Sequence, residues 1–577
     1  MEYLYHILIF ILLYAVIVQS LNLIKGYVGI ISMCHAIFVG IGAYTAALIG
    51  TKLGYNFILS IVIGFFLAAV IGALLATPSL RVKNEYIIVF TIGFQMVMYE
   101  FMLTARGITE GQGGIPGIPP PSLFGFEFDT PLKYIPLSIA VTIFCFAIAW
   151  RIINSPFGRV LKAIREDEEA CRAIGKNSLR FKVLVFAVGG GIAAIAGVIM
   201  AYYISFVSPF NFSVDVSIFI IVMVVLGGVA NFWGPLVGAA VLVGLPEVLR
   251  FIPGAAGIID AIREVLYGLI LMLLMIFRPQ GILPEYAGTA GSPKNRPDHE
   301  TDDESPAAGL ETLSAAGDAA HQAGEAVLTI ERLSKSFGGL KAVNEVDLEL
   351  ARGQITGLIG PNGCGKTTIF NLVTGYLKPD AGHVFVNGQN VTSDPPYKLV
   401  EKGLARSWQD VRVFNKMTVM DNVMVACPNQ SGERLIDLFF HPVKVLREKR
   451  LNYKKAKMYI DLVGLSENRY ELAVNLSAAE QKLVAIARLL ATECQVLLLD
   501  EPTSALDVDS VDRIIRLIKR ISETTKRTIL LVEHNLDVVR GLVQDAYFMS
   551  EGKVIARGKP QELMNDPKLS EVYFGID

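Results

Sequence analysis

Charge is scarce in the first half of this 577-residue chain. Residues 1–285 carry 17 Lys/Arg and 15 Asp/Glu, or 32 charges, whereas the other 74 fall in residues 286–577. Soluble domains average about 25% charged residues, so one large water-soluble enzyme is excluded. Cysteine is sparse as well. The six (Cys34, Cys145, Cys171, Cys364, Cys427 and Cys494) are scattered and form no C-x-x-C pair. That excludes a disulfide framework or a zinc site, and they read as small apolar residues in a reducing or lipid setting. Excess charge of either sign is lacking: 52 Lys/Arg against 54 Asp/Glu leaves −2, which excludes a strongly basic nucleic-acid binder. Met1–Leu23 has neither the basic start nor the small-residue cleavage site of a secretion signal. With 52% hydrophobic residues, most of the chain is not disordered.

Long apolar runs are abundant instead. Crossing a bilayer takes about 20 mostly apolar residues, because lipid leaves backbone polar groups unsatisfied. Phe57–Ala76 and Val183–Phe206 are uncharged and of that length, and Val216–Pro246 is uncharged but broken at Gly227-Gly228 and Gly234-Pro235. The last predicts two spans joined by a tight turn at VANFW. Residues 4–24, 27–50, 86–104, 133–150 and 261–278 complete an all-α polytopic membrane domain of about nine spans, each long enough to reach through lipid. The segment Arg151–Lys182 holds eight of the 17 basic residues. The excess of Lys/Arg on the inner side puts it in the cytoplasm, together with Lys25, Arg81, Lys83 and Arg278. Within it, Gly158–Asn177 is amphipathic and reads as a cytoplasmic helix against a partner surface. The Gly/Pro-dense loop Arg106–Pro121 is expected to be non-helical. Glu100, Glu247 and Glu264 fall near span ends, where snorkelling suffices, and His35 follows a Gly-rich stretch.

Residues 286–326 are rich in Ala, Gly, Pro and acid and almost devoid of large apolar residues. They read as a flexible tether between a transmembrane domain, 1–285, and a soluble domain, 327–577.

The soluble half carries phosphate chemistry. Gln354–Ile359 reads as a buried strand that runs into Gly360-Pro361-Asn362-Gly363-Cys364-Gly365-Lys366-Thr367-Thr368 and then an apolar helix. This is a P-loop in its proper context, whose amides and helix N-terminus cradle phosphates. Lys366 reaches the β- and γ-phosphates of ATP, and Thr367 binds Mg²⁺. Val496–Asp500 is an apolar strand ending in a metal-holding carboxylate, with Glu501 next to it to polarise the attacking water.

These motifs resemble an ABC-transporter ATPase, an α/β P-loop domain with a helical subdomain. The resemblance implies that Phe337 stacks on adenine and that Gln409 senses Mg²⁺ and the membrane domain. It further implies that Ser504–Asp507 joins the two ATPase subunits and that His534 contacts the γ-phosphate. The family's L-S-G-G-Q reads here Leu476-Ser477-Ala478-Ala479-Glu480-Gln481. Ser477 and the amide of Ala479 are thereby implied to face ATP on the opposite subunit. The two alanines are expected to weaken that site through an added Cβ and a restricted φ.

FGGLKAVNEVDLEL, GLARSWQDVRVFNKMTVMDNVMVA and the ending EVYFGID resemble the ATPases of branched-chain amino-acid importers. GYVGIISMCHAIFVGIGAY, GRVLKAIREDEEACRAIGKN and LGGVANFWGPLVGA resemble their permeases. The resemblance implies a permease–ATPase fusion in the inner membrane, surrounded by lipid, that imports hydrophobic amino acids with ATP and Mg²⁺. It also implies a second permease and a second ATPase, as a heterodimer in preference to a homodimer, and an extracytoplasmic binding protein. Urea, short amides and aromatic carboxylates are alternative substrates of the same machinery. An exporter and a membrane-anchored regulatory ATPase are the readings from other classes.

Overall fold

The computed structural model describes residues 2–53, 57–79, 84–123, 125–249, 276–285 and 325–574, together with 265, 268–269 and 272–273. The tether 286–326 lies outside them up to residue 324, as do Arg81, Lys83, Glu264 and most of the span at 261–278. The chain divides into two compact units, Met1–Arg165 with Ser178–Thr289, and Glu166–Asn177 with Ala290–Asp577.

The first unit is helical. Its described helices are α1 (Glu2–Val28), α2 (His35–Leu48), α3 (Phe57–Ser79), α4 (Asn84–Thr104), α5 (Arg106–Thr109), α6 (Pro131–Ile153), α7 (Pro156–Glu166), α9 (Ser178–Ile204), α10 (Val214–Gly227) and α11 (Gly234–Leu249), while α8 (Glu168–Ala173), between α7 and α9 in the chain, belongs to the second unit. Among the described residues, α1, α3, α4, α6 and α9 contain the five stretches long and apolar enough to cross a bilayer. α10 and α11 are shorter, and the expected turn between them at Gly228–Trp233 is present. Asn231 shapes it, its side-chain oxygen accepting from the amides of Trp233 and Gly234 at 2.8 and 3.1 Å.

Two expectations are corrected here. Residues 27–50 do not form one span, because the helix stops at Val28 and restarts at His35. Side chains satisfy the open backbone: the amide of Met33 donates to Thr91 Oγ1 at 3.1 Å and that of Ala36 to Ser217 Oγ at 3.0 Å. The loop Arg106–Pro121 contains the one-turn helix α5, and Ile115–Pro116 pairs antiparallel with Phe206–Val207.

Small residues hold α2 against α9. A Cβ on Gly42 would lie 2.0 Å from the carbonyl oxygen of Ala194, and one on Gly197 the same distance from that of Val39. Lipid supplies no hydrophobic drive between helices, so such backbone approach is what packs them.

In the second unit, a six-stranded sheet runs in the order Leu404–Arg406, Val496–Asp500, Thr528–Val532, Ile355–Ile359, Asp545–Ser550 and Lys553–Gly558. The first five strands are parallel and the last is antiparallel. The Ile355–Ile359, Val496–Asp500 and Thr528–Val532 strands are fully buried, as continuous apolar runs in a covered parallel sheet must be. An antiparallel sheet of Leu340–Ala351, Ala326–Phe337, Ala381–Val386 and Gln389–Asn390 shares their core. Helices Val419–Ala426, Pro442–Leu462 and Ala478–Ala491 pack together as a helical part.

Candidate nucleotide site

The site lies at the carboxyl ends of the parallel strands, where open α/β sheets bind their ligands. The loop after Ile355–Ile359 turns through Gly360, Gly363 and Gly365, at φ +153°, +79° and +109°. A Cβ on Gly360 would meet the Met549 carbonyl oxygen at 2.1 Å, and one on Gly365 that of Ala342 at 2.3 Å. Beside Gly363 nothing lies within 4 Å, so the loop's mouth is open there. Helix Lys366–Val373 starts at this loop and brings Thr367 and Thr368 into its first turn. Lys366 Nζ donates to the carbonyls of Gly360 and Pro361 at 2.8 and 2.9 Å, so its ammonium lies within the loop that Pro361, Asn362 and Cys364 complete.

Glu501 gathers three loops. Its backbone is left-handed at φ +46°, a strained conformation for a side-chain residue, and its amide donates to the Val532 carbonyl at 2.9 Å. Gln409 Nε2 donates to Glu501 Oε2 at 3.0 Å, and His534 Nε2 lies 2.9 Å from Oε1. The structure therefore brings Gln409, Glu501 and His534 together.

Asp500 is buried and pairs with Arg406, Nη2 to Oδ2 at 3.2 Å. Burial pushes the Asp500 carboxyl up and the Arg406 guanidinium down from their ordinary values, each toward its neutral form, and their mutual attraction opposes both shifts. Asp500 Oδ1 is buried and has no protein partner. A buried hard oxygen left free at the end of this strand fits Mg²⁺, which takes one or two carboxylates and fills its shell with phosphate and water.

Ser477 caps helix Ala478–Ala491 in a capping box with Glu480: its hydroxyl donates to Glu480 Oε2 at 2.8 Å and accepts from the Glu480 amide at 3.3 Å. Ala478 and Ala479 are ordinary helical residues and are not among those with positive φ. The expected φ restriction is thereby corrected: the helical turn accepts alanine, and only the added Cβ remains. Phe337 ends its strand with its ring half exposed, and no described contact joins it to the residues around Glu501.

Several residues escaped sequence reasoning. Glu533 accepts from the amide and hydroxyl of Thr503 at 2.9 and 2.6 Å, which anchors the Ser504–Asp507 loop. Lys482 donates to the Ser504 carbonyl at 2.5 Å, tying the helix that Ser477 caps to the same loop. The signal for Arg406 was present, since a charge inside an apolar strand requires a buried partner.

The amphipathic segment Gly158–Asn177 is two helices broken at Asp167, whose carboxylate caps α8 by accepting from the Ala170 amide at 2.9 Å. Residues Glu166–Asn177 pack within the second unit. Gly175, at φ +86°, approaches Val400 so closely that a Cβ would lie 2.9 Å from its side chain. Lys176 is buried, with Nζ 2.6 Å from Glu433 Oε1 and 2.9 Å from the Cys427 carbonyl. Arg412 Nη1 pairs with Glu169 at 2.6 Å and Asp167 at 3.4 Å.

Both parts of the chain are similar to known proteins. Residues 3–277 match the family model described as the permease component of a branched-chain amino acid transport system, and 343–504 match the ABC transporter model. The high-affinity branched-chain amino acid transport ATP-binding protein LivG of Escherichia coli (strain K12) is 34% identical over 249 residues, covering 43% of this chain and 98% of the relative. The chain belongs to the branched-chain amino-acid transport family of ABC transporters. A probable LivG of Archaeoglobus fulgidus is 36% identical over 253 residues, 43% of this chain and 95% of its own. A crystallised ATP-binding cassette of an ABC transporter in its ADP conformation is 30% identical over 44% of this chain and 99% of that one, with a TM-score of 0.38. As a member of this family the chain fuses a permease part to an ATP-binding part, and its ATPase domain couples ATP hydrolysis to transport.

Proposed function

We propose that this chain is half of an importer that carries branched-chain and other hydrophobic amino acids into the cell across the inner membrane. It works with a second permease and a second ATPase on a distinct chain, and with an extracytoplasmic binding protein. The ATPase domain lies in the cytoplasm. The observation that carries this reading is that both halves, on either side of the tether, are similar to components of one transport system.

The residues divide the work as follows. Phe337 stacks on the adenine. The Gly360–Thr368 loop wraps the phosphates with backbone amides, and Lys366 leaves the loop carbonyls to pair with the β- and γ-phosphates. Thr367, Asp500 and Gln409 would hold Mg²⁺, which neutralises phosphate charge when bound. Glu501 accepts the proton of the attacking water, oriented by Gln409 and His534, while His534 also steadies the γ-phosphate. Ser477 and the Ala479 amide complete the ATP site of the opposite ATPase. The Glu166–Asn177 segment carries closure of the ATPases to the permease helices.

Uptake of labelled leucine by cells with the wild-type chain or Lys366→Ala tests this, with urea and benzoate as competitors. Uptake is expected to fall to background in the variant, with only aliphatic amino acids competing. Competition by urea or benzoate alone would move the substrate to the amide or aromatic class.

A further inference from the structure

Trp408 is held between two guanidinium groups. The Arg406 guanidinium carbon lies 4.2 Å from the indole ring centroid, and that of Arg412 lies 4.5 Å from it. Tyr376 closes an edge, with ring centroids 4.8 Å apart at 72°. Each of these neighbours leads elsewhere. Arg406 pairs with Asp500 and also donates to Asn371 Oδ1 at 2.6 Å. Arg412 pairs with Glu169 and Asp167, and the Tyr376 hydroxyl donates to the Glu169 carbonyl at 3.0 Å. The backbone after Leu404–Arg406 continues beside the Val496–Asp500 strand, with the Ser407 amide donating to the Leu498 carbonyl at 2.8 Å. Gln409 then reaches Glu501. Residues 406–412 thus touch both acidic groups of the site and the Glu166–Asn177 segment.

Two like charges facing one ring repel each other, and each is balanced by carboxylates at its far side: Asp500 for Arg406, and Asp167 with Glu169 for Arg412. A change in how firmly Asp500 holds Arg406 alters the charge that the ring and Arg412 experience. The reverse is equally true, because coupling between sites is reciprocal.

We propose that Trp408 is a positioning residue that couples the Asp500 carboxylate to the Glu166–Asn177 segment through its two stacked arginines. This rests on the reading of Asp500 and Glu501 as the hydrolytic carboxylates. A stack that served stability alone would leave the ratio of transport to hydrolysis untouched.

The test uses membranes from cells expressing the full chain with its native partners. Trp408→Leu is expected to keep ATP hydrolysis within about 3-fold of wild type while leucine moved per ATP falls about 10-fold, toward the lower end of the usual range of coupling between sites. Trp408→Phe retains a π face and is expected to restore most of the ratio. An unchanged ratio in Trp408→Leu overturns the proposal. A second readout needs no variant at position 408. The other tryptophans are Trp150 and Trp233, so Trp150→Phe/Trp233→Phe leaves Trp408 as this chain's only tryptophan, whose emission is read in the purified complex as the difference from the same complex carrying Trp408→Phe as well. In a Glu501→Gln background its emission is expected to shift on addition of ATP and Mg²⁺, and the shift is expected to shrink in Arg412→Met. No shift, or one indifferent to Arg412, overturns the proposal even where Trp408→Leu fails to fold. Should Glu501→Gln leave hydrolysis intact, the reading of the site falls, and that result is separate from any change in the ratio.

Discussion

At the residue scale, the proposed chemistry centres on Glu501, which Gln409 and His534 both reach. Its strained backbone is held by the hydrogen bond that its amide donates to the Val532 carbonyl and by these two contacts. Glu501→Gln keeps the shape and removes the base, so hydrolysis is expected to fall by about 100-fold or more, as when one aligned transition-state group is lost. ATP binding, read by nucleotide photolabelling, should persist. Arg406→Ala is expected to act on stability instead. Removing it leaves Asp500 buried without its cation, a loss of about 3–5 kcal/mol, which thermal unfolding of the detergent-extracted protein would register. Much of the placement of these residues was legible in the sequence, because a P-loop between strand and helix and a carboxylate pair closing an apolar strand each carry their own physical reason. Arg406 carried a signal, a charge inside an apolar strand, but its partner Asp500 stands 94 positions away, as Thr503 stands 30 from Glu533, and no local spacing encodes such pairs.

At the element scale, the membrane helices follow their hydropathy wherever a run is long and unbroken, as in α3 and α9. α2 departs from it. Apolar composition continues through residues 29–34, yet the chain there is non-helical because Thr91 and Ser217 accept backbone amides that a helix would have paired internally. Hydropathy cannot register such side-chain substitutes. Close helix contact leads to a sharper expectation. Gly197→Ala would drive a Cβ into the Val39 carbonyl. It is expected to destabilise the α2–α9 pair by about 1–3 kcal/mol, the usual cost of overpacking. A lower melting temperature in detergent is the check, and an unchanged one would show that the backbones separate freely. The amphipathic segment was recognised as a docking element, but its break at Asp167 was not, although an Asp followed by two Glu is an N-terminal cap signature.

At the scale of the whole molecule, 43% of this chain covers 98% of a LivG protein. This chain therefore carries, beside the part similar to that relative, a permease part that lies outside the match. Residues 1–285 and 325–577 expressed as two chains are expected to restore leucine uptake, with a requirement for higher expression because the effective concentration supplied by the tether is lost. The central claim is that ATP spent at Glu501 moves a hydrophobic amino acid through the permease half of the same chain. Its most direct test is accumulation of labelled leucine in proteoliposomes that hold the purified complex with its cassettes facing the lumen, ATP inside and the binding protein outside. Accumulation is predicted to require ATP and Mg²⁺ and to stop in Glu501→Gln. Leucine entry that proceeds equally in that variant would contradict it.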